Sequence, residues 1–223
     1  MVYAQWDLTN NTILIGPTKL PSGLNTMSEA ELNAVNWYQC NITHTIEPYN
    51  NEFHDVTSIV PTLNGNKIDI MYNTAWKPVE ELREYVNANV NAHRDEMTMA
   101  GFIFGGIKFD SDEAARNNIT GSITTINSGL LVEAANPGLT VLPPSLDWTS
   151  FDNSTVTLTP MEMIDLGLRM SSWFSGVFSA ARAHKDAILA IPTPQAIIEY
   201  DYKTTLWPAN NIGGTIASLT PPA

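Results

Sequence analysis

The side chains able to do chemistry in this chain are few and scattered. Four histidines, His44, His54, His93 and His184, fall in four separate segments. None stands in the H-x-x-x-H or H-E-x-x-H frame that sets two imidazoles on one helix face for zinc. Asp110-x-Asp112-Glu113 offers three carboxylates for a hard cation, but the glycine and terminal glutamate of a calcium loop are missing. Capping the free amides of a helix N-terminus accounts for the same three acids. Acid pairs of glycosidase type occur at Glu80-Glu81 and Asp95-Glu96, where a helical pattern makes them solvated surface. No G-x-S-x-G elbow accompanies the serines, and Cys40 lacks a papain-like context. Gly105-Gly106 and Gly213-Gly214 lie outside the dinucleotide and P-loop frames. The chain reads as a non-enzyme, with no catalytic residue, no metal ligand and no cofactor expected.

Composition narrows the partners. Among 223 residues, 11 Lys and Arg face 23 Asp and Glu, a net charge of −12. Nucleic-acid affinity rests on cations displacing condensed counterions, so this balance argues against DNA or RNA. Charged residues are 15% of the chain, against roughly 25% in an ordinary soluble domain. Asn, Thr and Ser must keep the surface wet, or partners must cover it. The single cysteine cannot close an intrachain disulfide. The first residues lack the basic and apolar regions of a signal peptide, so export by that route is not expected. Apolar runs such as 101–107 and 187–198 are too short, or broken by Pro192 and Pro194, to span a membrane.

The elements that would position any site begin with β structure over residues 1–76. Val2–Leu8 and Thr12–Ile15 flank a turn at Asn10-Asn11, and a Pro/Gly loop from Gly16-Pro17 to Gly23 interrupts the pattern. Ser28-Glu29-Ala30-Glu31 is a capping box that starts a helix to about Asn36. Trp37–Glu47 alternates as a half-buried strand does, and Val56–Leu63 and Lys67–Trp76 pair around Asn64-Gly65-Asn66. These strands predict a small antiparallel domain. Pro78 then opens a helix to Met97 with the narrow stripe Val79, Leu82, Val86, Val90 and His93. We read it as an amphipathic helix on its own domain, with a coiled coil as the alternative.

The C-terminal half shows one pattern twice, a hairpin followed by a capped helix. Phe102-Ile103-Phe104 and Ile107-Lys108-Phe109 flank Gly105-Gly106, and Asp110 to Glu113 caps the helix that follows. That helix is predicted weak over Asn117–Val132, which is rich in Thr, Ser and Gly. Leu146–Phe151 and Thr155–Leu158 form the second hairpin, and Thr159-Pro160-Met161-Glu162 is a capping box with proline in the first turn. The helix to Ile191 carries two apolar stripes. One is Met161, Ile164, Leu168, Phe174 and Phe178; the other is Met163, Leu166, Met170, Trp173 and Val177. A helix apolar on two sides must be covered on both, by its own fold or by a partner. Gly167 and Gly176 inside it point to close helix approach or a bend.

In all, an α+β fold is expected: an antiparallel β module at 1–76, an α+β domain at 77–208, and a loose tail at 209–223. The string Phe104-Gly105-Gly106-Ile107-Lys108-Phe109-Asp110-Ser111-Asp112, followed by Asn118-Ile119-Thr120-Gly121, resembles the opening of an uncharacterised domain of tailed-bacteriophage tail and tail-fibre proteins. Its later landmarks have counterparts in order: Trp148, Asp152-Asn153, Val156-Thr157-Leu158, Thr159 to Glu162, Thr193-Pro194 and Trp207-Pro208. The resemblance covers about Trp76 to Pro208. Leu32, Trp37-Tyr38 and Pro48-Tyr49 resemble the N-terminal module that often precedes this domain.

The resemblance implies a virion structural protein, made in the host bacterial cytoplasm and placed in the tail. It would serve as a fibre or baseplate adaptor that binds other tail proteins and itself, as a trimer by tail symmetry. A tail-fibre assembly chaperone is the alternative, and a carbohydrate-active enzyme the third option. The family carries no catalytic residues over to this chain. Met163, Leu166, Met170, Trp173, Phe174, Val177 and Phe178 are the candidate interface, an internal role for both stripes being the other reading.

Overall fold

In a computed structural model, residues 1–219 of the chain are described, and they form two compact units that divide at Leu82/Arg83. The first contains β1 (Tyr3–Asp7), β2 (Thr12–Thr18), α1 (Glu29–Ala34), β3 (Trp37–His44), β4 (His54–Asn64) and β5 (Lys67–Trp76). The sheet order is β2-β1-β3-β5-β4. Asn11 takes φ 52° in the first hairpin. Ser28 and Glu31 form the reciprocal capping box, and α1 stops two residues short of the expected Asn36. β2 runs on through Pro17 to Thr18, because an edge strand need not offer every amide to a partner.

One pairing departs from the antiparallel expectation. β3 and β5 run parallel, from Gln39 opposite Lys67 to His44 opposite Tyr72. The turn at Gly65-Asn66 makes β4 and β5 antiparallel neighbours. The chain leaving β3 passes beyond one strand position before β4 begins, so β5 returns into the gap alongside β3. The period of two turns Ile68 and Ile70 inward, where they pack with Ala4, Trp6 and Tyr38.

The second unit takes over within α2 (Val79–Met99), whose Leu82, Val86 and Val90 are buried. It continues with β6 (Phe102–Phe104), β7 (Ile107–Phe109), α3 (Glu113–Ala135), β8 (Leu146–Thr149), β9 (Thr155–Leu158), α4 (Pro160–Ala190), α5 (Pro194–Ile198) and β10 (Asn211–Gly213). Gly105 and Gly106 make the β6–β7 turn at φ 57° and 84°. Phe102, Phe104 and Phe109 from this hairpin meet Met163, Leu166 and Trp173 of α4 in the core.

The cap of α3 is Asp112, whose Oδ1 accepts from the Ala115 amide at 2.7 Å, and not Asp110. Ser111 explains the shift. It is buried, accepts from the Gly101 amide at 2.9 Å and donates to the Thr98 carbonyl at 2.6 Å, so the helix starts only after it. Ser111→Ala would leave two backbone groups unpaired, and urea unfolding is expected to show a loss of about 1–3 kcal/mol.

α3 is continuous across the stretch predicted weak. Ile119 and Ile126 bury against the core, and this packing supplies what propensity lacks. Gly167 lets α4 approach, since a Cβ there would lie 2.0 Å from Ile123 Cδ1. At Gly176 the nearest neighbour, Pro208 Cγ, is at an ordinary 3.4 Å.

Residues 209–219 are no loose tail. β10 pairs in parallel with β6, and Ile216 is buried in the core. The Ala217 amide donates to Glu162 Oε1 at 2.5 Å, and the Ser218 hydroxyl to the Thr157 carbonyl at 3.1 Å. The remainder of the expected tail, 220–223, lies outside the described residues. Glu162 therefore serves two elements, because its other oxygen accepts from the Thr159 amide and hydroxyl. Burial pushes its carboxyl up, but the donors at Thr159 and Ala217 outweigh this and hold it below the ordinary value.

Candidate functional site

The seven candidate interface residues of α4 separate into two groups. Met163, Leu166, Met170, Trp173 and Val177 are buried within the unit's own core, so they are not available as an interface. The β6–β7 hairpin, β9 and α3 occupy the side of α4 that bears them. Phe174 packs partly on that core, and Phe178 is 50% exposed. What α4 leaves open is much of the Met161 stripe, with Met161 at 63% and Leu168 at 66% exposure. Leu131 of α3 is also well exposed.

A groove of about 360 Å³ lies between α3 and α4, floored by Gly167 and Met170 and walled by Ile123, Phe174 and Phe178. Arg116 stands on its rim with its guanidinium 4.9 Å from the Phe174 ring centroid. Arg94 lies similarly over Phe178 at 5.1 Å, while also bonding Asp95. Such stacking holds a guanidinium over an aromatic face without removing its charge from water.

A larger and more polar groove, about 800 Å³, runs between α3 and the segment from Leu142 to Thr149. α3 contributes Asn117, Asn118 and Ser122, the opposite wall contributes Leu142, Pro143 and Trp148, and carboxylates come from Asp110, Asp112 and Asp147. Asp112 is engaged as the α3 cap and Asp147 accepts from the Thr157 hydroxyl at 3.0 Å. Apart from Asp110 and Asp112, whose carboxylates suggest a cation or a helix cap, none of these residues stands out in the sequence as a site. Trp148 was only a turn landmark, and Asn117 and Asn118 only weak helix formers.

The hairpin bordering this groove ends in a turn built on Asp152. The Ser150 hydroxyl donates to its Oδ1 at 2.6 Å and the Ser154 amide at 3.1 Å. With the Ser154 hydroxyl they lower its carboxyl from 3.8 to about 2. A depressed carboxylate stabilises the fold above its unfolded value. That contribution is fully present above 3.8 and lost as the pH falls through about 2. Titration of the Asp152 carboxyl carbon by NMR is expected to give a midpoint near 2, with the Ser154 amide signal following it.

The histidines fall in two aromatic clusters, one around Tyr49 and one around Trp207. His44 stacks on Tyr49 at 4.3 Å, and Tyr49 lies 5.9 Å from His54, which contacts Trp76 at 4.1 Å. The Asn50 amide donates to His54 Nδ1, so the proton sits on Nε2, which is buried without a partner among the described residues. In the second unit His93 and His184 each lie 5.1 Å from Trp207. His184 is fully buried. Its Nε2 donates to the Thr205 carbonyl at 3.0 Å, which fixes the tautomer, and its Nδ1 accepts from the Tyr200 hydroxyl at 3.0 Å. These bonds hold the segment after α5 against α4, a structural use of imidazole. Among the described residues no group of three or more His, Cys, Asp or Glu is placed to hold a metal ion.

No curated protein and no solved structure matches the chain. Residues 81–204, more than half of its length, match a domain of unknown function, DUF4376. That match takes in α3, α4, both grooves, His184 and Tyr200. The chain belongs to the DUF4376 family.

Proposed function

We propose that the protein is a structural component of a tailed-bacteriophage virion, an adaptor in the tail fibre or baseplate that works by association. The observation that carries this reading is the succession of motifs from Phe104 to Pro208 that resembles the phage-tail domain, no one of which is specific alone. The surface supports it. Large apolar side chains lie open in both units, among them Leu14, Ile59 and Met71 in the first and Leu131, Leu168 and Phe178 in the second. A chain with 15% charged residues that leaves such groups in water is suited to being covered. No helix among the described residues is long and apolar enough to cross a membrane. On this reading the protein is not an enzyme. It is made in the host bacterial cytoplasm and retained in the tail, with a self-association that tail symmetry makes three-fold.

Mass spectrometry of purified particles tests the proposal. The chain is expected at stoichiometric abundance beside the other tail proteins. A chain needed for infectivity but missing from mature particles would replace this reading with a tail-fibre assembly chaperone. Absence from particles together with unimpaired infectivity would remove the phage reading altogether.

A further inference from the structure

We infer that the groove between α3 and the Leu142–Thr149 segment is a saccharide-binding site, for sugars that carry no acidic group. At about 800 Å³ it lies within the range of small-molecule sites, roughly 300–1,000 Å³. Its two walls differ in chemistry. Leu142, Pro143 and the half-buried indole of Trp148 make one side apolar. Asn117, Asn118 and Ser122 line the other with amides and a hydroxyl. A pyranose has the matching pair of surfaces, a C–H face that packs on an aromatic ring and an edge of hydroxyls that both donate and accept.

Several of the groove's polar groups are free to act. The side chains of Asn117, Asn118 and Asp110, and the indole N–H of Trp148, make no hydrogen bond among the described residues. Each amide offers two donors and an acceptor, and a carboxylate offers only acceptors, which suits bidentate contact with adjacent hydroxyls. Charge sets the exclusion. Three aspartates and no lysine or arginine line the groove, so phosphate, sulfate and uronic or sialic acids are repelled. The inference rests on the groove alone and not on the virion reading, so particle composition and sugar binding can fail independently.

The test is saturation-transfer NMR on the full chain, with millimolar methyl glycosides of glucose, galactose, mannose and N-acetylglucosamine. Methyl glucuronide and adenosine serve as controls. At least one neutral glycoside is expected to show transfer at its ring C–H protons and to shift the Trp148 indole N–H signal. Trp148→Ala is expected to abolish the transfer. Because Trp148 also packs on the core, Asn118→Ala on the exposed face of α3 is the second variant. It is expected to weaken binding about tenfold, the scale of one lost hydrogen bond, with an unchanged circular-dichroism spectrum. The inference is overturned if no neutral glycoside gives transfer, if binding survives both substitutions unchanged, or if glucuronide or adenosine binds as well as the neutral sugars.

Discussion

Trp173→Ala is expected to lower the stability of the unit formed by the second half of the chain by about 3–5 kcal/mol, the cost of deleting a buried aromatic. Trp173 lies in the core, 6.1 Å from the Phe102 ring and 4.9 Å from Phe174, and is 5% exposed. Two companion variants make the result diagnostic. Trp173→Phe is expected to cost far less, because the buried indole N–H has no partner among the described residues and its removal takes an unsatisfied donor out of the core. Phe178→Ala, one turn on, is expected to cost under about 1 kcal/mol, since it removes a half-exposed ring and one stacking contact with Arg94. Urea unfolding, with amide exchange read along α4, measures all three. A small effect at Trp173 with a large one at Phe178 would mean that the buried and open faces of α4 had been exchanged.

Gly101→Ala is expected to destabilise the fold by about 2–5 kcal/mol. Gly101 adopts φ 83°, where an L side chain costs about 1–2 kcal/mol. A Cβ there would sit 2.6 Å from the Phe109 carbonyl oxygen and 2.9 Å from Lys108 Cε. The first of these is backbone and cannot rotate away, so overpacking adds roughly 1–3 kcal/mol. The same turn between α2 and β6 gives its amide to Ser111, tying the end of one helix to the start of the next. Gly106→Ala is the control. Its φ is 84°, but nothing lies within 4 Å of the added methyl, so only the conformational cost is expected. Equal shifts in the urea midpoint for the two variants would show that the contact with Phe109 has no energetic weight.

Trp173 stands in a stripe whose burial the sequence cannot rank, and Gly101 does not stand out at all, because each depends on partners beyond its own element. Local chemistry writes the starts, stops and turns of this chain in its residues. Ser28 with Glu31, Thr159 with Glu162, the glycine pair at 105–106 and the asparagine turns act within four residues of themselves, and all are found where they were expected. The cap of α3 moved from Asp110 to Asp112 because Ser111 is claimed by Thr98 and Gly101, partners that are ten or more residues away. β10 went unread because three residues with a glycine carry no period, and it exists only because β6 has an open edge to pair with. The polar groove was illegible for a similar reason. Asn118 and Trp148 lie thirty residues apart and share a site only because α3 and the second hairpin flank the same space.

By itself the sequence determined the α+β class, the capped helices, the hairpins and an acidic, charge-poor surface, since each depends on neighbouring residues or on composition. The tertiary structure decided which apolar stripe of α4 is core, that β5 lies parallel to β3, and which side chains line the groove between α3 and the Leu142–Thr149 segment. Both stripes of α4 repeat with the period of the helix, so periodicity cannot rank them. Burial depends on what packs against each face, and here the β6–β7 hairpin and β9 arrive from elsewhere in the chain to cover Met163, Leu166 and Trp173 while Leu168 and Phe178 stay open to solvent.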